Sequence, residues 1–344
     1  MRLSSVLPTR YSPSNLARAW RNPALLRIEA IHWATRANAA TTDLLRSLSG
    51  CNAGIDVVAA DWDNLLILDG CRYDLFEARS PLEGELEAVR SKASHSGEFM
   101  EANFAGRTLH DSVYVTANPF TYELDDGTFH AVENLLDTHW DESTQTVLPE
   151  DVVEATRRAH ERYPDKRLLV HFMQPHFPFL GPTGRAFDHQ GIDMHVEAGE
   201  TDAAVNPWNA FVYDDRLDFA DVKRAYRENF DLVMPHVAEL LAALSGKSVV
   251  TADHGNLLGE RGWPVPLRLY GHPRGSRQDG VRVVPWFTVP GEERRTIVAE
   301  PPVEADGDAG ADGDGADTAG DAADAKGDAS DDVVDERLRA LGYV

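Results

Sequence analysis

Short runs of consecutive apolar residues recur along the middle of the chain. The clearest is Leu65–Leu68, which continues without a polar residue until Asp69. Similar runs cover Val113–Thr116, Leu168–Phe172, Ser248–Ala252 and Val283–Val289. Strands that are buried on both faces of a parallel sheet have such unbroken apolar stretches. The pattern therefore predicts buried parallel strands at these positions.

Stretches with helical spacing lie between the runs, at Ser96–Phe104, Pro149–Arg162 and Asp221–Leu244. In the last of them, apolar residues recur every three or four positions, which is typical of a helix packed on a core. Strands that alternate with helices predict an α/β fold, with a mostly parallel central sheet sandwiched by helices. The irregular, polar residues 180–220 fit either a lid over a substrate or a plain surface insertion.

The chain divides into four segments. Residues 1–60 hold seven arginines against three acidic residues, with helical patterns at Leu16–Trp20 and Ala24–Leu48. We expect this basic segment to pack on its own domain, with an acidic partner or a lipid surface as the alternative. Residues 61–300 form the predicted α/β domain. Residues 301–332 hold eleven acidic residues against one lysine, and this composition predicts a disordered linker. Residues 333–344 have the apolar spacing of a short helix, which we expect to dock back on the domain.

The overall charge narrows the classes of function. The chain has 344 residues and a formal net charge of −24, which argues against a general nucleic-acid binder, because such proteins need a basic face. Its acidic, lysine-poor composition suggests a halophilic protein, with an acidic mesophilic protein as the alternative. No apolar run approaches the ~20 residues of a membrane helix, and no secretory signal is evident. With only two cysteines, a disulfide framework is excluded. We therefore expect a soluble, cytoplasmic protein.

Polar residues follow three of the predicted strands. They are Asp69, the segment His171–Pro178, and Asp253-His254-Gly255. In open α/β sheets, ligands bind outside the carboxyl ends of the strands. An aspartate that ends a buried strand either caps a helix or binds a partner that offsets its desolvation. Two such aspartates, one of them followed by His-Gly, favour a metal site.

The motifs around these residues occur in a recognisable order. Thr251–Gly255 resembles the T/S-D-H-G element of the alkaline phosphatase/sulfatase superfamily, Asp69 resembles its first metal aspartate, and Gln174–Pro178 resembles its P-H-x-P element. Further similarities follow in the same order at Gly259-Glu260, Gly271-His272-Pro273, Arg282–Pro285 and the L-x-x-L-G-Y-like ending Arg337–Tyr343. The chain is therefore similar to a sulfatase-like protein of haloarchaeal type.

The resemblance implies an alkaline-phosphatase-like fold and a metal-dependent hydrolase of phosphate or sulfate esters. It implies one divalent ion (Mn²⁺, Mg²⁺, Ca²⁺ or Zn²⁺) bound by Asp69, Asp253, His254 and the oxygen of a serine nucleophile. His176 and His272 would stabilise charge or protonate the leaving oxygen. The substrate would be a phosphorylated or sulfated small molecule, a glycan or a lipid head group.

The same resemblance places the nucleophile at the start of a helix, where free N–H groups favour anions. Ser91–Met100 is similar to the T-S-D-A-E-F stretch of lipoteichoic-acid-synthase-like members, which puts Ser94 at their threonine. We therefore predict Ser94 as both nucleophile and metal ligand. Ser96 is the alternative, and a role in helix capping alone is the third interpretation.

The chain lacks the Cys/Ser-x-Pro/Ala-x-Arg motif that many sulfatases convert to formylglycine, since Cys71 stands in Cys-Arg-Tyr-Asp. An unmodified serine favours phosphoryl chemistry. Two alternatives to hydrolysis remain open. One is a phosphotransferase that moves a head group onto a glycan or lipid, and the other is a non-catalytic binding module on the same fold.

Overall fold

The computed structural model describes Trp20 and residues 23–49, 54–189, 207–208 and 218–303. Most of the predicted acidic linker, the predicted C-terminal helix, much of the predicted lid or insertion and all but Trp20 of the first helical pattern lie outside these residues. Among the helices that it does describe, none combines the length and apolar character that crossing a membrane requires.

Within the described residues, the strands form one seven-stranded sheet and two small hairpins. In chain order they are β1 Asn64–Leu68, β2 Glu85–Arg90, β3 Leu109–Thr116, β4 Phe129–Asn134, β5 Trp140–Asp141, β6 Thr146–Val147, β7 Arg167–Phe172, β8 Ser248–Thr251, β9 Leu257–Arg261, β10 Arg268–Gly271 and β11 Val283–Val289. The order in the large sheet is β2-β11-β8-β1-β7-β3-β4, and β5–β6 and β9–β10 are the hairpins. The strand with the clearest apolar run, β1, is therefore central.

The helices lie mostly in the connections between strands. They are α1 Pro23–Ser49, α2 Tyr73–Arg79, α3 Ser96–Asn103, α4 Leu135–Thr138, α5 Pro149–Arg162, α6 Pro182–His189, α7 Phe219–Ala243 and α8 Asp279–Arg282, with a 3₁₀ helix at Pro119–Glu123. The helices predicted at Ala24–Leu48, Ser96–Phe104, Pro149–Arg162 and Asp221–Leu244 thus form close to their expected bounds. The predicted fold class, α/β with a mostly parallel sheet between helices, is confirmed.

One predicted strand direction is wrong. β8, β1, β7, β3 and β4 pair in parallel, but Val283–Val289 runs antiparallel to β8 and to β2. An apolar run indicates burial and carries no information on direction, which the connection decides. Here the four-residue helix α8 leads directly into β11, whereas a parallel return needs a crossover across the face of the sheet.

Successive side chains along the strands point alternately into two apolar layers, one on each face of the sheet. On β1, Leu66 and Leu68 belong to the layer that packs on α2, α5 and α7, whereas Leu65 and Ile67 face α3 and the segment before β1. All four are fully buried. Because both faces are covered, the polar residues that follow the strands converge at the edge where the strands end.

The first prediction concerns a cluster of ion pairs beside β2. The Asp56 carboxylate accepts bonds from Lys92 Nζ (2.9 Å) and Arg107 Nη1 (3.0 Å), and the bond from Arg107 is the main reason that its pKa lies well below the usual value. A depressed carboxyl pKa contributes stability above pH ~4 that is lost as the pH falls. We expect Asp56→Asn to lower the free energy of unfolding by about 1–2 kcal/mol at neutral pH.

The pH dependence of this difference is the check. Urea unfolding of the wild type and Asp56→Asn at successive pH values should show the two curves converging below pH ~4. The exposed Asp126→Asn serves as the matched control. A difference between wild type and Asp56→Asn that stayed constant down to strongly acidic pH would refute the ion-pair account.

Candidate metal and nucleophile site

Asp69 and Asp253 follow neighbouring parallel strands, so the sheet brings them together. Asp69 comes directly after β1, and Asp253 follows β8 by two residues. The N–H of Gly70 donates to Asp253 Oδ1 at 3.0 Å, which ties the turn after β1 to the carboxylate after β8. Both carboxylates are fully buried, and two buried negative charges need a compensating positive charge.

His254 completes a set of metal-ligand types. Its Nδ1 lies 2.9 Å from the carbonyl of Gly255 and donates to it, so Nε2 is the ring nitrogen that faces the carboxylates. That nitrogen lies 3.3 Å from Asp253 Oδ2 and 3.8 Å from Asp69 Oδ1. A lone pair facing two carboxylates is unfavourable unless a cation or a proton lies between them. The ligand atoms of the three residues lie within 4.8 Å of one another, so this buried donor set fits a divalent cation.

The surroundings favour the charged form of Asp253. Burial raises the pKa of its carboxyl group, but His254, His171 and the bonds from Gly70 and Ser96 outweigh that effect, so the pKa is lowered overall. A carboxylate that stays ionised while buried is the form that a metal requires.

Ser96, at the first position of α3, lies inside this set. Its Oγ is 2.8 Å from Asp253 Oδ2, 3.1 Å from Asp69 Oδ2 and 3.3 Å from His254 Nε2. The helix has His95 as its N-cap, whose Nδ1 accepts from the N–H of Gly97. Ser96 therefore combines a hydroxyl among metal-ligand types with the positive end of a helix dipole.

Ser94, the predicted nucleophile, lies elsewhere. Its hydroxyl donates to Glu98 Oε2 at 2.8 Å and lies 3.2 Å from the carbonyl of Pro273. The other carboxylate oxygen of Glu98 accepts from the N–H of Gly275 at 2.8 Å. Ser94 thus belongs to a bridge between α3 and the loop after β10, and the geometry puts the alternative serine, Ser96, with Asp69, Asp253 and His254.

The predicted His176 and His272 flank the set. The ring of His272 stacks on that of His254 with centroids 4.7 Å apart, and His176 lies 4.9 Å from His272. Burial lowers the pKa of His176 to about 3, and it lowers that of His272 well below the usual value, with His254 adding to both effects. Both rings are therefore neutral near pH 7.

Hydrogen bonds fix the tautomers of these two rings. His176 Nδ1 lies 2.6 Å from the carbonyl of Phe177, and His272 Nδ1 lies 3.1 Å from Asn256 Oδ1. Each Nδ1 therefore carries the ring proton, and each Nε2 is the basic nitrogen. Each Nε2 can therefore accept a hydrogen bond, whereas the lowered pKa values make both rings weak bases.

Two residues support Asp69 from the side of β3. Asn118 Nδ2 donates to Asp69 Oδ2 at 2.7 Å, and His171 Nε2 lies 3.8 Å from the same oxygen while its Nδ1 meets the Tyr114 hydroxyl at 2.8 Å. The interpretation of His171 as a core or supporting residue agrees with this placement. Sequence reasoning missed Asn118, although it follows β3 by two residues, as Asp253 follows β8.

The turn at Gly70 gives the second prediction. Gly70 has φ +65°, and a Cβ there would lie 2.8 Å from Asn256 Nδ2, an amide that is held by the Gly70 carbonyl (2.9 Å) and by His272. We expect Gly70→Ala to lower the free energy of unfolding by about 1–3 kcal/mol, measured by urea unfolding.

Gly106→Ala is the matched control for this substitution. Gly106 has nearly the same φ, +66°, but its Cβ would meet nothing within 4 Å. Any excess effect of Gly70→Ala therefore reports the contact with Asn256. Equal losses in the two variants would mean that the amide can move aside without cost.

No family model matches this sequence, and no curated protein matches it. Among solved structures, the soluble domain of lipooligosaccharide phosphoethanolamine transferase A from Neisseria meningitidis matches with a TM-score of 0.38 and 14% identity, over 67% of this chain and 76% of that one. The C-terminal periplasmic domain of EcEptC from Escherichia coli, in complex with Zn, has a TM-score of 0.36 and 13% identity, over 70% and 76%. A protein in the alkaline phosphatase superfamily from Vibrio parahaemolyticus has a TM-score of 0.35 and 12% identity, over 67% and 60%.

Proposed function

We propose that the protein is a metal-dependent enzyme that cleaves phosphate esters through Ser96 and a covalent phosphoserine. The observation that carries this proposal is the position of the Ser96 hydroxyl, within 3.3 Å of Asp69, Asp253 and His254 and at the first residue of α3. A hydroxyl that serves only as a helix cap has no need of two buried carboxylates and an imidazole around it.

The residues divide the first half of the reaction among them. Ser96 Oγ, oriented by the Asp253 carboxylate 2.8 Å away, releases its proton to water and attacks phosphorus. The bond to the leaving oxygen breaks, and the leaving oxygen takes up a proton from water. The N-terminus of α3 stabilises the negative charge that develops on the phosphoryl oxygens. Asn118 keeps the Asp69 carboxylate oriented throughout.

Asp69, Asp253, His254 and Ser96 would hold the divalent cation. When bound, it would act as a Lewis acid that lowers the pKa of the serine hydroxyl and polarises the ester. Carboxylate and imidazole ligands suit Mn²⁺, Mg²⁺ and Zn²⁺, and the oxygen-rich set also admits Ca²⁺.

The second half transfers the phosphoryl group from Ser96 to an acceptor. With water as acceptor the enzyme is a hydrolase, and with a sugar or lipid hydroxyl it is a phosphotransferase. In either case, the unprotonated Nε2 atoms of His176 and His272 can accept a hydrogen bond from the acceptor's hydroxyl group, and the proton that the acceptor loses is released to water. The two reactions therefore require the same residues and differ only in what enters the site.

Ester cleavage by the full chain tests the proposal. p-Nitrophenyl phosphate, bis-p-nitrophenyl phosphate and p-nitrophenyl sulfate are offered with each of the four cations at high and low salt. Cation-dependent release of nitrophenol from a phosphate ester is expected. Phosphorus NMR with added alcohols then separates free phosphate from phosphorylated acceptor. Tight cation binding without turnover of any ester, with or without acceptors, would favour a binding module.

A further inference from the structure

Helix α1 exposes several large apolar side chains to solvent. Ten such side chains are exposed in the described part of the chain, and four of them lie on this one helix: Leu26, Trp33, Leu44 and Leu45. Trp33 is 55% exposed and Leu44 is 61% exposed. Soluble proteins seldom cluster exposed apolar side chains unless another surface covers them in use. The outer face of α1 is therefore a candidate docking surface.

The inner side of α1 is already packed on the domain. Thr35 and Asn38 are 4% and 5% exposed. Asn38 Oδ1 accepts from the N–H of Val265 at 2.8 Å, and its Nδ2 donates to the carbonyl of the same residue at 3.2 Å. Asp43 also pairs with Arg277 at 2.7 Å. The helix is thus fixed on the domain, and its outer face is a preformed surface.

The exposed apolar residues of the outer face follow one another in alternating steps of four and three. They are Leu26, Ala30, Trp33, Ala37, Ala40 and Leu44, and all six are exposed. Such steps keep side chains on one line along a helix, and this line is the contact seam when two helices pair. Leu45 is exposed as well but lies off the line. The spacing therefore favours another helix as the occupant.

The line of residues is self-complementary about Thr35. Positions at equal distances on either side of that residue pair as Leu26 with Leu44, Ala30 with Ala40, and Trp33 with Ala37. A two-fold interface needs one surface that complements itself. If two copies of α1 pack antiparallel about this level, each tryptophan meets a small alanine, and large side chains opposite small ones allow close packing. The occupant that this symmetry identifies is a second copy of the chain.

A lipid surface matches the same face less well. Three of the six positions are alanine, whereas helices that lie in a bilayer surface usually carry large apolar residues on the buried face. Charge separates the two occupants further. An antiparallel two-fold pair brings the flank that carries the exposed Arg36 against the same flank of the second copy, so this arginine opposes pairing weakly. An anionic membrane would instead attract it.

We propose that α1 is a dimerisation helix, which pairs antiparallel with α1 of a second copy of this chain. Trp33 of each copy packs on Ala37 of the other, and Leu26 meets Leu44 at both ends of the contact. Each chain has a formal net charge of −24, so the copies repel each other until salt screens the charge. The dimer is therefore expected to be stronger at high salt.

Sedimentation equilibrium of the full chain tests the proposal without relying on the reaction. We expect a reversible dimer with a Kd of about 1–100 μM, the range of a small interface, and a lower Kd in ~1 M than in ~0.1 M NaCl. Trp33→Ala and Leu44→Glu should weaken the dimer about tenfold or more. The matched controls Trp263→Ala and Leu45→Glu change exposed residues off the line and should leave the Kd within about twofold.

A size exchange tests the predicted contact between Trp33 and Ala37. Ala37→Trp alone sets two tryptophans against each other and should weaken the dimer about tenfold. The double variant Trp33→Ala/Ala37→Trp again sets large against small, and it should bind at least about threefold more tightly than either single variant. Arg36→Ala should dimerise at least as well as the wild type, whereas it would weaken binding to an anionic vesicle.

Disulfide cross-linking tests the antiparallel direction. In a Cys51→Ser background, where the remaining Cys71 is buried, a mixture of Leu26→Cys and Leu44→Cys should cross-link more than either variant alone. Cross-linking of each variant with itself instead would overturn the antiparallel arrangement. A chain that stays monomeric at ~200 μM in both salts would overturn the proposal, whether or not it binds phosphatidylglycerol vesicles. A dimer that Trp33→Ala and Leu44→Glu leave unchanged would overturn it as well.

Discussion

Asp253→Asn should lose both cation binding and catalysis. The Asp253 carboxylate accepts from the N–H groups of Gly70 (3.0 Å) and His254 (2.8 Å) through Oδ1 and meets the Ser96 hydroxyl through Oδ2. An amide removes the negative charge and turns one acceptor into a donor. We expect cation affinity to fall at least about 100-fold and kcat/KM to fall about 10³-fold or more, or about 4 kcal/mol.

Calorimetric titration with Mn²⁺ and Zn²⁺, beside steady-state assays, measures these losses. Asp74→Asn is a control, because Asp74 is exposed and binds only Arg72 among the contacts described for its side chain. Unfolding curves show whether Asp253→Asn folds, and Asp69→Asn provides a second variant of the same type. Wild-type cation affinity in both variants would place the cation elsewhere.

Ser96→Ala and Ser94→Ala should differ greatly in activity. Removing Ser96 Oγ takes away the proposed nucleophile, so turnover should fall about 10³-fold or more. Removing Ser94 Oγ loses one hydrogen bond to Glu98, but the backbone N–H of Ser94 still donates to that carboxylate at 2.9 Å. Its turnover should therefore fall less than about tenfold.

The comparison is informative because each variant removes one serine Oγ, and the two serines are only two residues apart in the chain. Both should fold and retain cation binding through Asp69, Asp253 and His254, although Ser96→Ala should bind more weakly. The opposite ranking of activities would identify Ser94 as the nucleophile. Equal and small losses would mean that neither hydroxyl attacks the ester.

The central part of the site was predictable because it depends on strand ends. An apolar run such as Leu65–Leu68 indicates a buried strand, and the aspartate after it must lie at the edge where parallel strands end. The same reasoning placed Asp253 and His254 beside Asp69. Their mutual distances follow from the parallel pairing of β1 and β8, which the apolar runs alone do not specify.

The position of each serine hydroxyl was not predictable, because it depends on the path of one loop. Ser94 lies two residues before α3 and Ser96 is its first residue. Their spacing in the sequence cannot show which hydroxyl turns toward Asp253. The structure shows Glu98 accepting from Ser94, which directs that side chain toward the loop after β10. Only the three-dimensional contact between α3 and that loop separates the two serines.

The edge of the sheet was also missed, for a related reason. β2, with the sequence Glu-Leu-Glu-Ala-Val-Arg, is largely exposed and has no continuous apolar run. The central strands are recognisable in the sequence because both of their faces are buried and their residues are therefore continuously apolar. An edge strand instead has alternating apolar and polar residues, or mostly polar ones. The reversed direction of β11 belongs to the same edge, where it pairs with β2.

Identification of the covalent intermediate tests the central claim most directly. The full chain is mixed with p-nitrophenyl phosphate and the cation that supports turnover, quenched in acid, digested and examined by tandem mass spectrometry. The account predicts one phosphoryl group on Ser96, absent without cation and absent from Ser96→Ala. Phosphoryl transfer to Ser94, or steady turnover with no phosphorylated serine at any quench time, would contradict it.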